Sequence, residues 1–316
     1  MTDERIRVAV LGAGAVGCFY GGMLARAGHE VTLIGRPLHV EAIQKGGLRF
    51  EMAGADERIA VRASTDAADV KGARLVLFCV KSTDTDFAAG QMAPLLEAGA
   101  IVVNLQNGVD NAPRIQARVS QPVVPAAVYV AAEMAGPGHV KHHGRGDLVI
   151  GALGGPAPPA LAQAMLRVQQ WFAQAGVRVV ISDNVAGELW TKLVINCAYN
   201  ALSAVGQVPY GVLIRGAGIR ETMRDLVDET LAVAAASGVT MAPGMRERVY
   251  GIADAMPAQY SSTAQDLARG RPTEIDHLNG YVVRRGDALG IPVPMNRALH
   301  ALVKLLESKP RATGSG

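Results

Sequence analysis

The chain has 316 residues, 49% hydrophobic and 19% charged, which is enough for two packed domains and too apolar for a disordered chain. A net charge of +3 with no clustered Lys/Arg tract gives no electrostatic footprint for nucleic acid. The opening MTDERIRVAVLG lacks the basic and apolar regions of a secretory leader, and no apolar run approaches the ~18 residues of a conventional membrane span.

Taken in chain order, the first half alternates two kinds of segment. Strands are predicted at Arg7–Leu11, His29–Ile34, Ile59–Ala63, Leu75–Val80, Ile101–Leu105, Val123–Val130, Leu148–Gly151 and Val177–Ile181. Runs such as LVLFCV and IVVNL are apolar throughout, as strands buried on both faces must be. Helices are predicted between them, at Val16–Ala27, Leu38–Gln44, Phe87–Leu96 and Ala160–Ala175. This alternation predicts a doubly wound α/β sheet. After Ser182 the strand signal stops, and helical periodicity takes over at 184–204, 219–237, 245–255, 262–269, 273–289 and 296–308. Ser182 and Asp183 are candidate caps for the first of these helices. The expected division is therefore 1–182, an α/β domain, and 183–316, an all-α domain. Cys18, Cys79 and Cys197 stand far apart in apolar surroundings without CxxC spacing. They predict free thiols in a reducing cytoplasm, and no metal site.

VAVLGAGAVG sets Gly12, Gly14 and Gly17 directly after a predicted strand and at the start of a predicted helix. This is the context that a dinucleotide fingerprint requires. Gly12 allows the tight turn, Gly14 lets a pyrophosphate approach the backbone, and Gly17 lets the helix pack closely on the strand. Ala13, Ala15 and Val16 complete a loop whose N–H groups and helix dipole suit phosphate. An NAD site places an acid at the end of the second strand, about 20 residues on. Here that position holds Gly35 and Arg36, and no acid follows until Glu41. A guanidinium binds a 2′-phosphate that a carboxylate would repel, so NADP(H) is the expected cofactor. Lys81 and Asn107 follow two further predicted strands, where ligands of open α/β sheets bind. Asn107 also belongs to an Asn-Gly turn dipeptide.

ELWTKLVINCAYNALSA carries Glu188, Lys192, Asn196 and Asn200 at a spacing of four in an otherwise apolar helix. Such a line projects from one side, either as a thin solvated face or as the wall of a cleft. A lysine in a cleft could stabilise and then protonate the alkoxide left when a hydride adds to a ketone. Farther on, Ser262 fits a helix cap, and Glu274 fits a first-turn acid after Pro272.

Read together, LGAGAVG, VKSTD, QNG, KLVINCAYNALSA, SSTAQDLARGRPTEID, NG and GIPVP resemble the ketopantoate reductases (2-dehydropantoate 2-reductases) over nearly the whole chain. The resemblance implies a Rossmann domain joined to a helical domain like that of 6-phosphogluconate dehydrogenase, with the active site in the cleft between them. It implies Lys192 as general acid and Glu274 as the carboxylate at the junction of substrate and cofactor. Asn196, Asn200 and Ser262 become substrate-binding residues, and Asn107 touches both ligands. Gly12, Ala13, Gly14, Ala15, Val16, Gly17, Arg36, Lys81 and Ala132 match cofactor positions. The implied activity is reduction of a small 2-oxo acid by NADPH, on the route to pantothenate and coenzyme A. The chain would work in the cytoplasm as a monomer or homodimer, away from membranes and nucleic acids. Two departures stand out: Asn200-Ala201 replaces the Asn-Pro of some members, and Tyr210 falls where some carry a further substrate asparagine. These keep open a paralogous reductase of another branched 2-oxo acid. A β-hydroxyacid or 6-phosphogluconate-type dehydrogenase is disfavoured by the Ser262–Glu274 spacing. A non-catalytic NADP sensor is disfavoured by intact Lys192 and Glu274.

Overall fold

The computed structural model describes residues 4–309, in two compact units that divide between Ala186 and Gly187. The first unit runs β1 (Arg7–Leu11), α1 (Ala15–Arg26), β2 (Glu30–Ile34), α2 (Pro37–Gly46), β3 (Leu48–Met52), β4 (Ala55–Ile59), β5 (Arg62–Ser64), β6 (Leu75–Phe78) and α3 (Thr85–Met92). It continues with β7 (Ile101–Asn104), α4 (Asn111–Gln116), β8 (Val123–Gly136), β9 (His139–Gly151), α5 (Pro159–Gln174) and β10 (Val179–Ser182). The strands form one sheet in the order β4-β3-β9-β8-β7-β6-β1-β2-β5, with β10 added on β9.

From β5 to the first residues of β8 every pairing is parallel. Leu75–Phe78 of β6 and residues 101–103 of β7 are apolar and buried because both sheet faces are covered there. Val10, Leu33 and Leu77 pack with Tyr20, Leu24 and Trp171 in the core that holds α1 and α5. Ala9, Val76 and Phe78 pack with Ala89, Met92 and Ile115 of α3 and α4 in another.

Two regions of the sheet depart from the sequence expectation. The segment read as one strand at Ile59–Ala63 is instead divided between the end of β4, which forms an antiparallel hairpin with β3, and the start of the short β5. Gly54, at φ +80, makes the hairpin turn. The strands expected at Val123–Val130 and Leu148–Gly151 extend into one long antiparallel hairpin, β8 with β9, through Gly138 at φ +63. Residues 139–147, HVKHHGRGD, carry no strand signal, since Gly, His and Lys fit a pleated surface poorly. Tertiary contacts overrule propensity there: the His142 ring stacks on Phe19 at 4.5 Å, and Tyr20 Oη donates to the Gly146 carbonyl at 3.3 Å.

The second unit is helical: α6 (Val185–Gly206), α7 (Tyr210–Leu213), α8 (Ile219–Ala236), α9 (Met245–Ala255), α10 (Ser262–Ala268), α11 (Asn279–Leu289) and α12 (Pro294–Glu307). No strand occurs among its described residues. Its core joins Val194, Ala198 and Tyr199 of α6 to Met223, Leu226, Val249, Ile275, Leu299 and Val303. Buried amides brace it. Asn279 Nδ2 donates to the Cys197 carbonyl (3.2 Å) and to Asn296 Oδ1 (3.0 Å). The Glu229 carboxylate accepts the N–H groups of Met295 and Asn296, satisfying the first turn of α12 from α8. The helix expected over 273–289 is broken: a 3-10 turn at Ile275–His277 ends at Leu278 (φ −110, ψ −104), and α11 starts afresh. No helix among the described residues is long and apolar enough to cross a membrane.

Candidate active site

In the first unit the fingerprint loop lies between β1 and α1, and each glycine has a physical reason. Gly12 has φ +112, and a Cβ there would stand 2.6 Å from the backbone of Cys79 and Val80, where the chain leaves β6. A Cβ on Gly17 would meet the Gly12 carbonyl oxygen at 2.2 Å, so only glycine lets α1 sit this close to the turn. Gly14 is different. A Cβ there would meet nothing within 4 Å, and the residue is exposed. Gly14 occupies the N-cap of α1 with no side-chain cap, and the first turn carries no acid. The site is open where a phosphate would approach and electrostatically ready for one. The N–H groups of Gly12 and Ala13 both donate to the Ile34 carbonyl at 2.9 Å, locking the turn to the end of β2.

Arg36 follows directly. It is exposed, occupies the N-cap of α2 in extended conformation, and hands over to Pro37 in the first turn. Lys81 is half-buried and caps the 3-10 turn Ser82–Asp84 after β6. Asn107 is half-buried after β7. The fold therefore gathers Gly12–Gly17, Arg36, Lys81 and Asn107 at the carboxyl edge of β1, β2, β6 and β7. Ala132 lies on the antiparallel stretch of β8, opposite His142 and beside a register shift.

The sequence reading missed the buried network that fixes the Lys81 and Asn107 loops. Asn111 Nδ2 donates to the Asn107 carbonyl (2.7 Å) and to Ser82 Oγ (3.0 Å). Its Oδ1 accepts from Thr85 Oγ1 and from Arg114, both at 3.0 Å. Gln106 Nε2 bridges the Val80 carbonyl (2.9 Å) and Thr85 Oγ1 (2.8 Å), and Arg114 closes the set with a 2.6 Å pair to Asp86. Ser82, Thr85 and Asn111 are fully buried with their side chains hydrogen-bonded to one another and to the neighbouring loops, which ties those loops together. Apart from Arg114 and the Val80 carbonyl, its members lie inside the same KSTDTD and QNGVDN stretches that carry Lys81 and Asn107, and that adjacency was the available signal.

In the second unit α6 bears Lys192, Asn196 and Asn200 along one side, the first two half-buried and Asn200 buried. Asn200 Nδ2 donates to Ser262 Oγ at 3.4 Å. The capping reading of Ser262 is corrected: Ser261 is the N-cap of α10. Its hydroxyl accepts the Ala264 N–H at 3.0 Å and donates to the Asn200 carbonyl at 3.1 Å. Ser262, exposed in the first turn, is left to face outward. Glu274 is half-buried and precedes the 3-10 turn rather than opening a helix. Tyr210 is buried in the helical core, its ring 4.4 Å from that of Tyr199. Burial pushes the Tyr210 hydroxyl well above the usual phenol range and that of Tyr199 up to about 12. Among the described residues no cluster of His, Cys, Asp or Glu could hold a metal ion.

Residues 8–155 match the family model of ketopantoate reductase PanE/ApbA, and residues 184–307 match that of the ketopantoate reductase PanE/ApbA C terminal domain. A 2-dehydropantoate 2-reductase of Pyrococcus horikoshii is 31% identical over 305 residues, spanning 96% of this chain and 98% of the relative. The crystal structure of a PanE/ApbA family ketopantoate reductase from Ralstonia eutropha is 58% identical, with a TM-score of 0.90 over 96% of this chain and 98% of that one. The ternary structure of D-mandelate dehydrogenase with NADH and anilino(oxo)acetate is 25% identical, with a TM-score of 0.88 over the same shares of the two chains. With both units matched and the fingerprint in place, this chain belongs to the ketopantoate reductase family.

Proposed function

We propose that this protein is an NADPH-dependent 2-dehydropantoate 2-reductase, reducing the C2 ketone of ketopantoate to the alcohol of pantoate on the way to pantothenate and coenzyme A. One observation supports this reading above the rest: Lys192, Asn196 and Asn200 share one side of α6, and Asn200 is bonded to Ser262. This places an ammonium beside a row of neutral donors suited to a carboxylate and a hydroxyl.

The first unit fits a dinucleotide phosphate. Gly14 leaves its backbone accessible, α1 opens without a side-chain cap, and Arg36 stands where an NAD-type site has an acid. Gly12–Gly17 would hold the pyrophosphate, Arg36 the 2′-phosphate, and Lys81, Asn107, Ala132 and Glu274 the remaining contacts. NADPH, when bound, supplies the hydride for C2. Lys192 hydrogen-bonds the ketone oxygen, stabilises its growing negative charge and gives it the proton that completes the hydroxyl. Asn196, Asn200 and Ser262 orient the acid so that one face of C2 is presented. Glu274 accepts hydrogen bonds from the bound molecules.

A second reading keeps this chemistry and changes the acid. Tyr210 is buried against Tyr199 at the position where some members of the family carry a substrate asparagine, which favours another branched 2-oxo acid. The test of the catalytic assignment is Lys192→Ala. It should lower kcat by about 10²- to 10⁴-fold while NADPH affinity, measured by fluorescence titration, changes little. Near-normal turnover would remove Lys192 from the mechanism.

A further inference from the structure

Glu274 is held from both sides. Thr273, 3% exposed, gives both its N–H (2.8 Å) and its hydroxyl (2.6 Å) to one oxygen of Glu307, Oε1. The Thr273 hydroxyl oxygen in turn accepts the N–H of Ile275 at 3.2 Å, and the Glu274 carbonyl accepts the His277 N–H at 2.9 Å. Ile275 itself is fully buried in the helical core. Glu307 Oε2 pairs with Lys304 at 2.8 Å. Lys304 also reaches Asp276 at 2.9 Å, and the other Asp276 oxygen meets His300 Nε2 at 2.7 Å. The residues on either side of Glu274 are thus tied to α12.

Glu307 breaks a local rule. It sits in the last turn of α12, where the negative end of the helix dipole disfavours a carboxylate. Burial also pushes its carboxyl up, yet the bonds from Lys304 and Thr273 together hold it below the ordinary carboxylate range. A side chain retained against local preference is where a role elsewhere is to be sought. We propose that Glu307, acting through Thr273, is a positioning residue that fixes the backbone at Glu274 and so aims the Glu274 carboxylate. This rests on the reading of Glu274 as a residue of the reaction.

The test uses the full-length enzyme at saturating NADPH with the 2-oxo acid it reduces best. Steady-state constants are measured for Glu307→Ala, Glu307→Gln, Thr273→Val and Glu274→Gln, and for Glu307→Ala combined with Glu274→Gln. Glu307→Ala should lower kcat/KM by about 10- to 100-fold, the scale expected of a misplaced catalytic group. Glu307→Gln, which keeps an acceptor for Thr273, should recover most of that loss. In the Glu274→Gln background Glu307→Ala should cost nothing further, because both changes act through one carboxylate. A loss that persists in full in that background indicates general destabilisation and overturns the proposal, as does unchanged kinetics for Glu307→Ala. Should Glu307→Ala fail to fold, Thr273→Val carries the same comparison. If Glu274→Gln alone turns over normally, the reading of Glu274 fails first, and a clamp on it has nothing to aim.

Discussion

Asn200 Nδ2 and Ser262 Oγ meet at 3.4 Å although the residues are 62 apart in the chain. The same turn of α6 receives the Ser261 hydroxyl on the Asn200 carbonyl, so two adjacent serines divide the work between them. Ser261 caps α10 and Ser262 remains on the surface. The two substitutions should therefore separate. Ser262→Ala should raise KM for the 2-oxo acid about tenfold with little change in melting temperature. Ser261→Ala should lower stability by about 1 kcal/mol or more through the lost cap. Thermal denaturation beside steady-state kinetics distinguishes the two.

Arg36 should decide between the two nicotinamide cofactors. A charge-assisted hydrogen bond contributes roughly 1.5–3 kcal/mol, so Arg36→Ala should weaken NADPH binding by about 10- to 100-fold. NADH, without the 2′-phosphate, should bind almost as before. Unchanged NADPH affinity would mean that the phosphate is held elsewhere.

The two glycines of the fingerprint should fail differently. Gly12→Ala adds a Cβ 2.6 Å from the backbone of Cys79 at φ +112. It should destabilise the protein by about 1–3 kcal/mol or more, visible as a lower melting temperature. Gly14 has φ −90 and open space around the new methyl, so Gly14→Ala should leave the melting temperature nearly unchanged while weakening NADPH binding.

Acid should loosen the segment around Asp276. Burial raises its carboxyl, but the bonds from His300 and Lys304 outweigh burial and hold it below the ordinary value of 3.8. A depressed folded value contributes stability above 3.8 that is lost as pH falls through the lower value. The drop in melting temperature between about pH 5 and about pH 3 should therefore be shallower in Asp276→Asn than in the parent protein. Equal slopes would show that the pair with His300 and Lys304 carries no net stability, as is common for partly exposed ion pairs.

The legible parts of this sequence were those in which one local pattern serves one physical purpose. LVLFCV and IVVNL announce strands because both faces of the sheet are covered, and the fingerprint glycines announce a turn that no other residue permits. The line Lys192–Asn196–Asn200 was visible because a helix repeats. Whether it was a solvated stripe or a binding face was not visible, since the partner serine arrives from 62 residues away. The β9 stretch HVKHHGRGD was illegible because pairing and a stack on Phe19 override poor strand propensity. α4 escaped notice because it spans only six residues with a proline inside. Glu307 left no trace at all. An acid at a helix end reads as surface until Thr273 is folded against it.

The central claim is tested most directly by following NADPH oxidation with ketopantoate, ketoisovalerate, pyruvate and ketoisocaproate, and by repeating the best case with NADH. The account predicts kcat/KM highest for ketopantoate, by about tenfold or more over the other acids, and higher with NADPH than with NADH. Equal rates with all four acids would contradict the ketopantoate assignment. NADPH binding without turnover of any of them would contradict the reductase itself.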